Sequence, residues 1–165
     1  MQKRIKEITE KEALVKLGAL CSRSEHCTFE MQEKMKRWGL DEEVQARVIA
    51  TLIKGKYIDD ERFARAFVND KVRYNKWGKR KVDQALYFKH IDEDIRQRVL
   101  ADIEEEDFKE ALRPLLIAKM KSVKAKNDYE LSCKLIRFGI SRGFEIEEIK
   151  DCLTDIFKDI EEENP

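Results

Sequence analysis

Lys79-Arg80-Lys81 is the most chemically pointed run in this 165-residue chain. It follows Trp77-Gly78, a turn signal, and stands where the first turn of a helix is expected. A helix N-terminus is the positive end of the backbone dipole, so each cation there is disfavoured by roughly 0.3–1 kcal/mol. An anion such as phosphate is favoured at the same place. Other expected helix starts obey the dipole, with Asp41-Glu42-Glu43, Asp92-Glu93-Asp94 and Glu145, Glu147 and Glu148 each leading an apolar-periodic run. The three cations are therefore candidates for contact with an anionic partner, weighed against a solvated charge run. A second basic stripe lies just upstream. At 100° per residue, Arg62, Arg65, Asn69, Arg73 and Lys76 share one face of a helix, while Phe63, Ala64, Phe67, Val68, Lys71 and Tyr74 share the other, mostly apolar face. The plain reading of Arg62 and Arg65 is pairing with Asp59, Glu61 or Asp70 along that helix, worth a few tenths of a kcal/mol per pair.

Other chemistry is hard to assemble. Cys21, Cys27, Cys133 and Cys152 show no C-x-x-C spacing and read as reduced thiols. Cys21, His26 and Cys27 lack an evident fourth metal ligand. The six glycines form no phosphate-cradling loop, and His26 and His90 lie far apart at turns with no nucleophile motif nearby. The expectation is a non-enzymatic protein with no cofactor and no metal. Trp38 and Trp77 can stack on bases but are read as closing core edges, and Phe63 and Phe67 as core by spacing.

These residues need a helical frame. Charged residues make up 41% of the chain and only two prolines occur, with abundant Glu, Lys, Arg, Leu and Ile, so the expected fold class is all-α. Formal net charge is zero, but residues 71–90 carry seven Lys or Arg against Asp83 alone, and residues 101–110 carry six acids against Lys109. Such segregation points to one face for an anionic partner and another that repels it. With no signal peptide or apolar run of membrane length, a cytoplasmic protein without membrane contact is expected, and it is taken to be a monomer.

The chain also repeats. A shift of 51 residues superposes Gly39-Leu40-Asp41-Glu42-Glu43-Val44 on His90-Ile91-Asp92-Glu93-Asp94-Ile95, and matches Met31, Met35, Val48 and Leu52 with Val82, Leu86, Val99 and Ile103. A further 53 residues bring Gly143-Phe144 onto His90-Ile91, and Leu135, Cys152 and Ile156 into register with Val82, Val99 and Ile103. Three tandem three-helix repeats follow, at 1–57, 58–104 and 105–165. Helices are predicted at about 10–23, 27–37, 41–54, 59–75, 78–89, 92–104, 105–124, 128–140 and 145–160. Units this small are expected to stack into an elongated, curved array rather than close cores alone, with an acidic C-terminal end frayed from Glu161 to Asn164.

Taken together, Leu20-Cys21-Ser22-Arg23-Ser24-Glu25-His26 with Glu30 and Lys34, Tyr57-Ile58-Asp59-Asp60-Glu61-Arg62-Phe63-Ala64-Arg65-Ala66-Phe67, Trp77-Gly78-Lys79-Arg80-Lys81-Val82 and Arg142-Gly143-Phe144 resemble the RecX family, regulators of the bacterial recombinase RecA. The segment Asp59 to Phe67 is the specific part. Lys79 stands where the family usually has Pro, Ser24 where it often has Arg, and Cys27 where it commonly has Ser. The resemblance implies a cytoplasmic protein that binds the RecA filament on DNA, limits its growth or persistence, and so reduces ATP hydrolysis and strand exchange in recombination and repair. On this reading Arg62, Arg65, Arg73, Lys76, Lys79, Arg80 and Lys81 are the residues offered to the filament or to DNA, with direct DNA contact weak and non-specific. The alternative is an autonomous helix-turn-helix protein reading duplex sequence. The helix after Gly78 offers such a reader Gln84 but little else beyond phosphate-type cations.

Overall fold

A computed structural model describes residues 7–165. The described chain is all helical: α1 (Glu10–Arg23), α2 (Thr28–Arg37), α3 (Glu42–Lys54), α4 (Asp60–Arg73), α5 (Lys79–Phe88), α6 (Glu93–Ala101), α7 (Glu105–Ser122), α8 (Asp128–Ser141) and α9 (Ile146–Glu163). Several ends differ from the periodicity: α6 stops at Ala101 and α7 at Ser122, three and two residues short of the predicted ends. α4 stops at Arg73, so Lys76 leaves the helical stripe and sits in the following turn at φ 57°, while Tyr74 is 79% exposed rather than on the apolar face. α9 continues through the acidic end, where fraying was expected, as far as Glu163.

The three-unit repeat is written into the turn between the second and third helix of each unit. Gly39, His90 and Gly143 all adopt left-handed φ, at 75°, 55° and 94°. Each donates its N–H to the carbonyl three residues back, and the next residue donates to the carbonyl five back: Leu40 to Met35, Ile91 to Leu86 and Phe144 to Gly139. This is the Schellman arrangement, which satisfies the last carbonyls of a helix and turns an apolar side chain back against it. In the third unit Gly139 has no side chain to meet Phe144, and Ile149 fills the space, with its Cδ1 2.6 Å from where a Gly139 Cβ would stand.

Ion pairs follow the same period. Glu10 on α1 holds Arg47 on α3 at 2.9 Å, and 51 residues on, Glu61 on α4 holds Arg98 on α6 at 2.6 Å. In the third unit Arg113 on α7 pairs with Asp159 on α9, with the signs exchanged. All are exposed, and each is worth about 0–1 kcal/mol. Burial holds the units together.

Two cores result where independent closure was not expected. Leu17, Met31, Met35, Val48, Ile49, Leu52 and Ile58 form one, which belongs to the first unit. The second runs without a break through the other two units, from Phe63, Val68, Val82 and Leu86 to Leu116, Leu135, Phe144 and Ile149. The first unit thus has an interior of its own, while the second and third share one that also takes in Cys27 of the first unit, with Phe29 packed against it. Accessible surface is 11748 Å² for 19.6 kDa, against about 8,600 Å² for a compact monomer of that mass. The excess is that of an extended array.

Candidate functional site

The first unit meets the second through side chains. Cys27, the residue before α2, is fully buried, and its thiol donates to the Lys89 carbonyl at 3.8 Å. The Thr28 N–H donates to Asp60 at 2.8 Å, the Phe29 ring stacks on His90 at 3.9 Å between centroids, and Arg62 bridges Glu25 at 2.7 Å and the Lys56 carbonyl at 2.9 Å. Arg62 is therefore a joint between units; its partner comes from the preceding repeat and not from its own helix. Arg65 does pair with Glu61, at 3.2 Å, and also with Asp102 at 2.6 Å. Hydrogen bonds from Arg98 first, and then from Arg65, hold the Glu61 carboxyl below the usual range.

Burial pushes the Cys27 thiol up to about 12, the opposite of what a reactive cysteine needs. In the native protein Cys27 is expected to resist a maleimide or disulfide reagent at pH 8 and to react on unfolding; native-state reaction at the rate of a free thiol would contradict its burial. Because its folded pKa lies above its unfolded value, its contribution to stability is complete below about pH 9 and declines as pH rises toward 12. A stability profile flat across that window in the wild type, indistinguishable from Cys27→Ser, would argue against the coupling.

The second and third units meet backbone to backbone. Gly78, 51 residues after Cys27, donates its N–H to the Arg142 carbonyl at 2.7 Å, and Arg80 donates its own to the Gly143 carbonyl at 3.1 Å. A Cβ on Gly78 would lie 2.4 Å from the Gly143 carbonyl carbon, and one on Gly143 would lie 2.3 Å from Lys81 Cβ. Arg-Gly-Phe, a weak signal as a sequence, is thus the surface against which α5 begins. This corrects the phosphate reading of that helix start: two of its amide groups are already satisfied by the 142–143 turn. α5 remains the one described helix with no acid in its first turn.

The cations around this lock divide into groups. Lys71 Nζ lies 5.0 Å and Lys81 Nζ 4.5 Å from the centroid of the Trp77 ring, and the Trp77 backbone N–H donates to the Lys71 carbonyl at 3.0 Å. Each such contact is worth about 0.5–1 kcal/mol at an exposed site. Arg80 approaches Glu145 at 3.6 Å, with both side chains largely exposed. Arg80 and Lys81, with Gln84, Tyr87, Arg96 and Ser141, line a groove of about 460 Å³ between α5 and the end of α8. Arg73 and Lys76 line a different groove, of about 300 Å³, facing Asp107 and Glu110 of α7.

The seven basic residues singled out from sequence therefore do not form one patch. Arg62 and Arg65 join helices, Arg73 and Lys76 face acids of the third unit, and Lys79, Arg80 and Lys81 crown the seam. Among the described residues, Lys71, Arg73, Lys76, Lys79 and Lys81 have no carboxylate within 4.0 Å. Sequence reasoning missed two cations beside this lock, Lys71 and Arg142, and a third, Lys119, that shares the aromatic partner of Arg142. Lys71 was assigned to the packing face, and Arg142 and Lys119, over Phe138 at 5.2 and 5.1 Å, come from the third unit. Only the Arg142-Gly143-Phe144 motif could have signalled any of them.

Comparison with known proteins places this architecture. The family described as "RecX, second three-helix domain" matches residues 59–100, which span α4 to α6 through Leu100. A regulatory protein RecX of Chlorobium limicola is 32% identical over 139 residues, covering 84% of this chain and 86% of its own. The chain belongs to the RecX family. A RecX relative from Vibrio campbellii is 31% identical over 147 residues, covering 89% of this chain and 91% of its own. The RecX fold is matched as well: a crystal structure of RecX from Lactobacillus salivarius has a TM-score of 0.78 at 16% identity, covering 88% of this chain and 95% of that one. A second crystal structure of a regulatory protein RecX also gives 0.78, at 19% identity over 86% and 71% of the two chains. No helix of the described residues is long and apolar enough to cross a membrane, and the four cysteines are free.

Proposed function

We propose that this RecX-family chain binds the RecA filament on DNA in the cytoplasm and restrains its growth, lowering ATP hydrolysis and strand exchange, without catalytic chemistry of its own. The observation that carries this reading is the row of cations without carboxylate partners at the seam of the second and third units, from Lys71 through Lys79 and Lys81. An extended helical array with such a seam suits a filament groove, where it meets protein subunits and DNA phosphate together. The duplex-reading alternative is less well supported. A recognition helix presents base-reading side chains to the groove, and beyond its cations α5 offers Gln84 and little else.

The test is the single-stranded-DNA-dependent ATPase of RecA titrated with this protein at moderate salt. Inhibition well below one molecule per RecA subunit is the expected result, because competition for DNA alone needs far more protein. No inhibition, together with tight sequence-selective duplex binding, would reject the proposal. Replacing Lys79, Arg80 and Lys81 together with Ala should move the inhibition curve to higher protein concentration by on the order of ten-fold, with a shallower salt dependence, and leave helix content unchanged by circular dichroism. An unshifted curve from that folded variant would remove these residues from the interface.

A further inference from the structure

The third unit carries a cleft of the opposite character. Between α7 and α9 lies an opening of about 540 Å³ whose floor is Phe108, Leu112, Phe144 and Cys152. Its rim carries Glu106, Glu110, Glu148, Asp151 and Asp155 against two cations, Lys109 and Arg113. Arg113 is already engaged by Asp159, and Arg73 and Lys76 face Glu110 from the neighbouring groove, so within the cleft itself Lys109 is the one cation left to five carboxylates. Pro114, on the same wall, has no N–H to return to the Glu110 carbonyl four residues back. That backbone acceptor loses its helical donor beside the cleft.

We propose that this cleft docks a basic amphipathic segment of a partner protein. An apolar side chain would seat on the Phe108, Leu112 and Phe144 floor, and flanking Lys or Arg would meet the rim and the Glu110 carbonyl. The chemistry selects that occupant. A nucleic acid is repelled by the rim, an acidic peptide likewise, and a purely cationic polymer leaves the floor uncovered. Helix-in-groove recognition works by this combination of an apolar anchor and a charged border. The cleft opens between α7 and α9 of the third unit, whereas Lys79, Arg80 and Lys81 begin α5 on the other side of the 142–144 turn's contact, so the protein would offer one surface to anions and another to a cationic protein segment.

The experiment needs neither RecA nor DNA and stands apart from the regulator reading. A fluorescein-labelled Leu/Lys amphipathic peptide is titrated with the full chain by fluorescence anisotropy. Saturable one-to-one binding that weakens with salt is expected. A Ser/Lys peptide of equal charge should bind at least about ten-fold more weakly. Combining Glu110→Lys, Asp151→Lys and Asp155→Lys should weaken the Leu/Lys peptide by about ten-fold or more. Glu161→Lys, Glu162→Lys and Glu163→Lys, the same charge change at the far end of α9, should weaken it much less. Circular dichroism identifies any variant that has not folded, and Asp155→Lys alone is then read in its place. Absence of wild-type binding, equal loss in the two variant sets, or equal affinity for the Ser/Lys peptide would overturn the proposal. So would displacement of the peptide by self-association of the chain in sedimentation, which would assign the cleft to a second copy.

Discussion

Gly143→Ala should lose about 2–5 kcal/mol of folding stability, where Gly39→Ala, at the equivalent turn, should lose only about 1–2. Both glycines hold left-handed φ, at 94° and 75°, and an alanine is conformationally strained at each. Their surroundings separate them. A Cβ on Gly39 meets nothing within 4 Å, whereas one on Gly143 falls 2.5 Å from the Lys81 nitrogen, backbone that cannot swing aside. Gly78→Ala completes the comparison, since φ there is an ordinary −79° and only the collision with Gly143 and Phe144 remains, worth about 1–3 kcal/mol. Urea unfolding of the three variants measures these values. Equal losses at Gly39 and Gly143 would show that the close approach of the second and third units is not required for the fold.

Phe63→Ala should cost about 3–5 kcal/mol, and the loss should be confined to the core shared by the second and third units. Phe63 is 7% exposed and leads an aromatic chain, with Phe67 at 5.8 Å and Trp77 a further 6.4 Å away between centroids. Trp77 packs on that shared core and Trp38 on the separate core of the first unit. Variants carrying Trp38→Phe or Trp77→Phe therefore leave one fluorescent reporter per core. The Trp77 transition should move to lower urea with Phe63→Ala while the Trp38 transition keeps its midpoint. A common shift of both would mean that the three units unfold as one, and that the contacts of Cys27, Phe29 and Arg62 across the first joint couple the cores more strongly than their side-chain character indicates.

The two joints are variants of one design. The residue before the second helix of a unit, Cys27 or Gly78, meets the carbonyl of the residue that starts the next unit's turn, Lys89 or Arg142. With glycine on both sides the backbones touch, and the start of α5 donates two hydrogen bonds to the carbonyls of the 142–143 turn. With Cys27 and His90 the contact is made instead by a thiol and by the stacked rings of Phe29 and His90. Lys79 and its neighbours are held in place by the tighter of the two joints, which links a stability measurement at Gly143 to the geometry of the proposed filament contact.

Much of this molecule is readable along the chain. Apolar residues recur at helical spacing, acids lead eight of the nine described helices, and the turn at Gly39, His90 and Gly143 returns at shifts of 51 and 53 residues. Each of these is a local requirement: a stripe to bury, a dipole to complement, a left-handed residue to end a helix. Local requirements leave local marks. The uses of the cations were not readable in the same way. Arg62 turns to Glu25, Arg65 adds Asp102, and Arg142 arrives beside Gly78 from 64 positions downstream. A guanidinium has the same helical preference and the same charge whether it joins two repeats or faces solvent. What separates those roles is the distance at which one repeat docks on the next, and that distance is set by the volumes meeting at Cys27 with His90 and at Gly78 with Gly143.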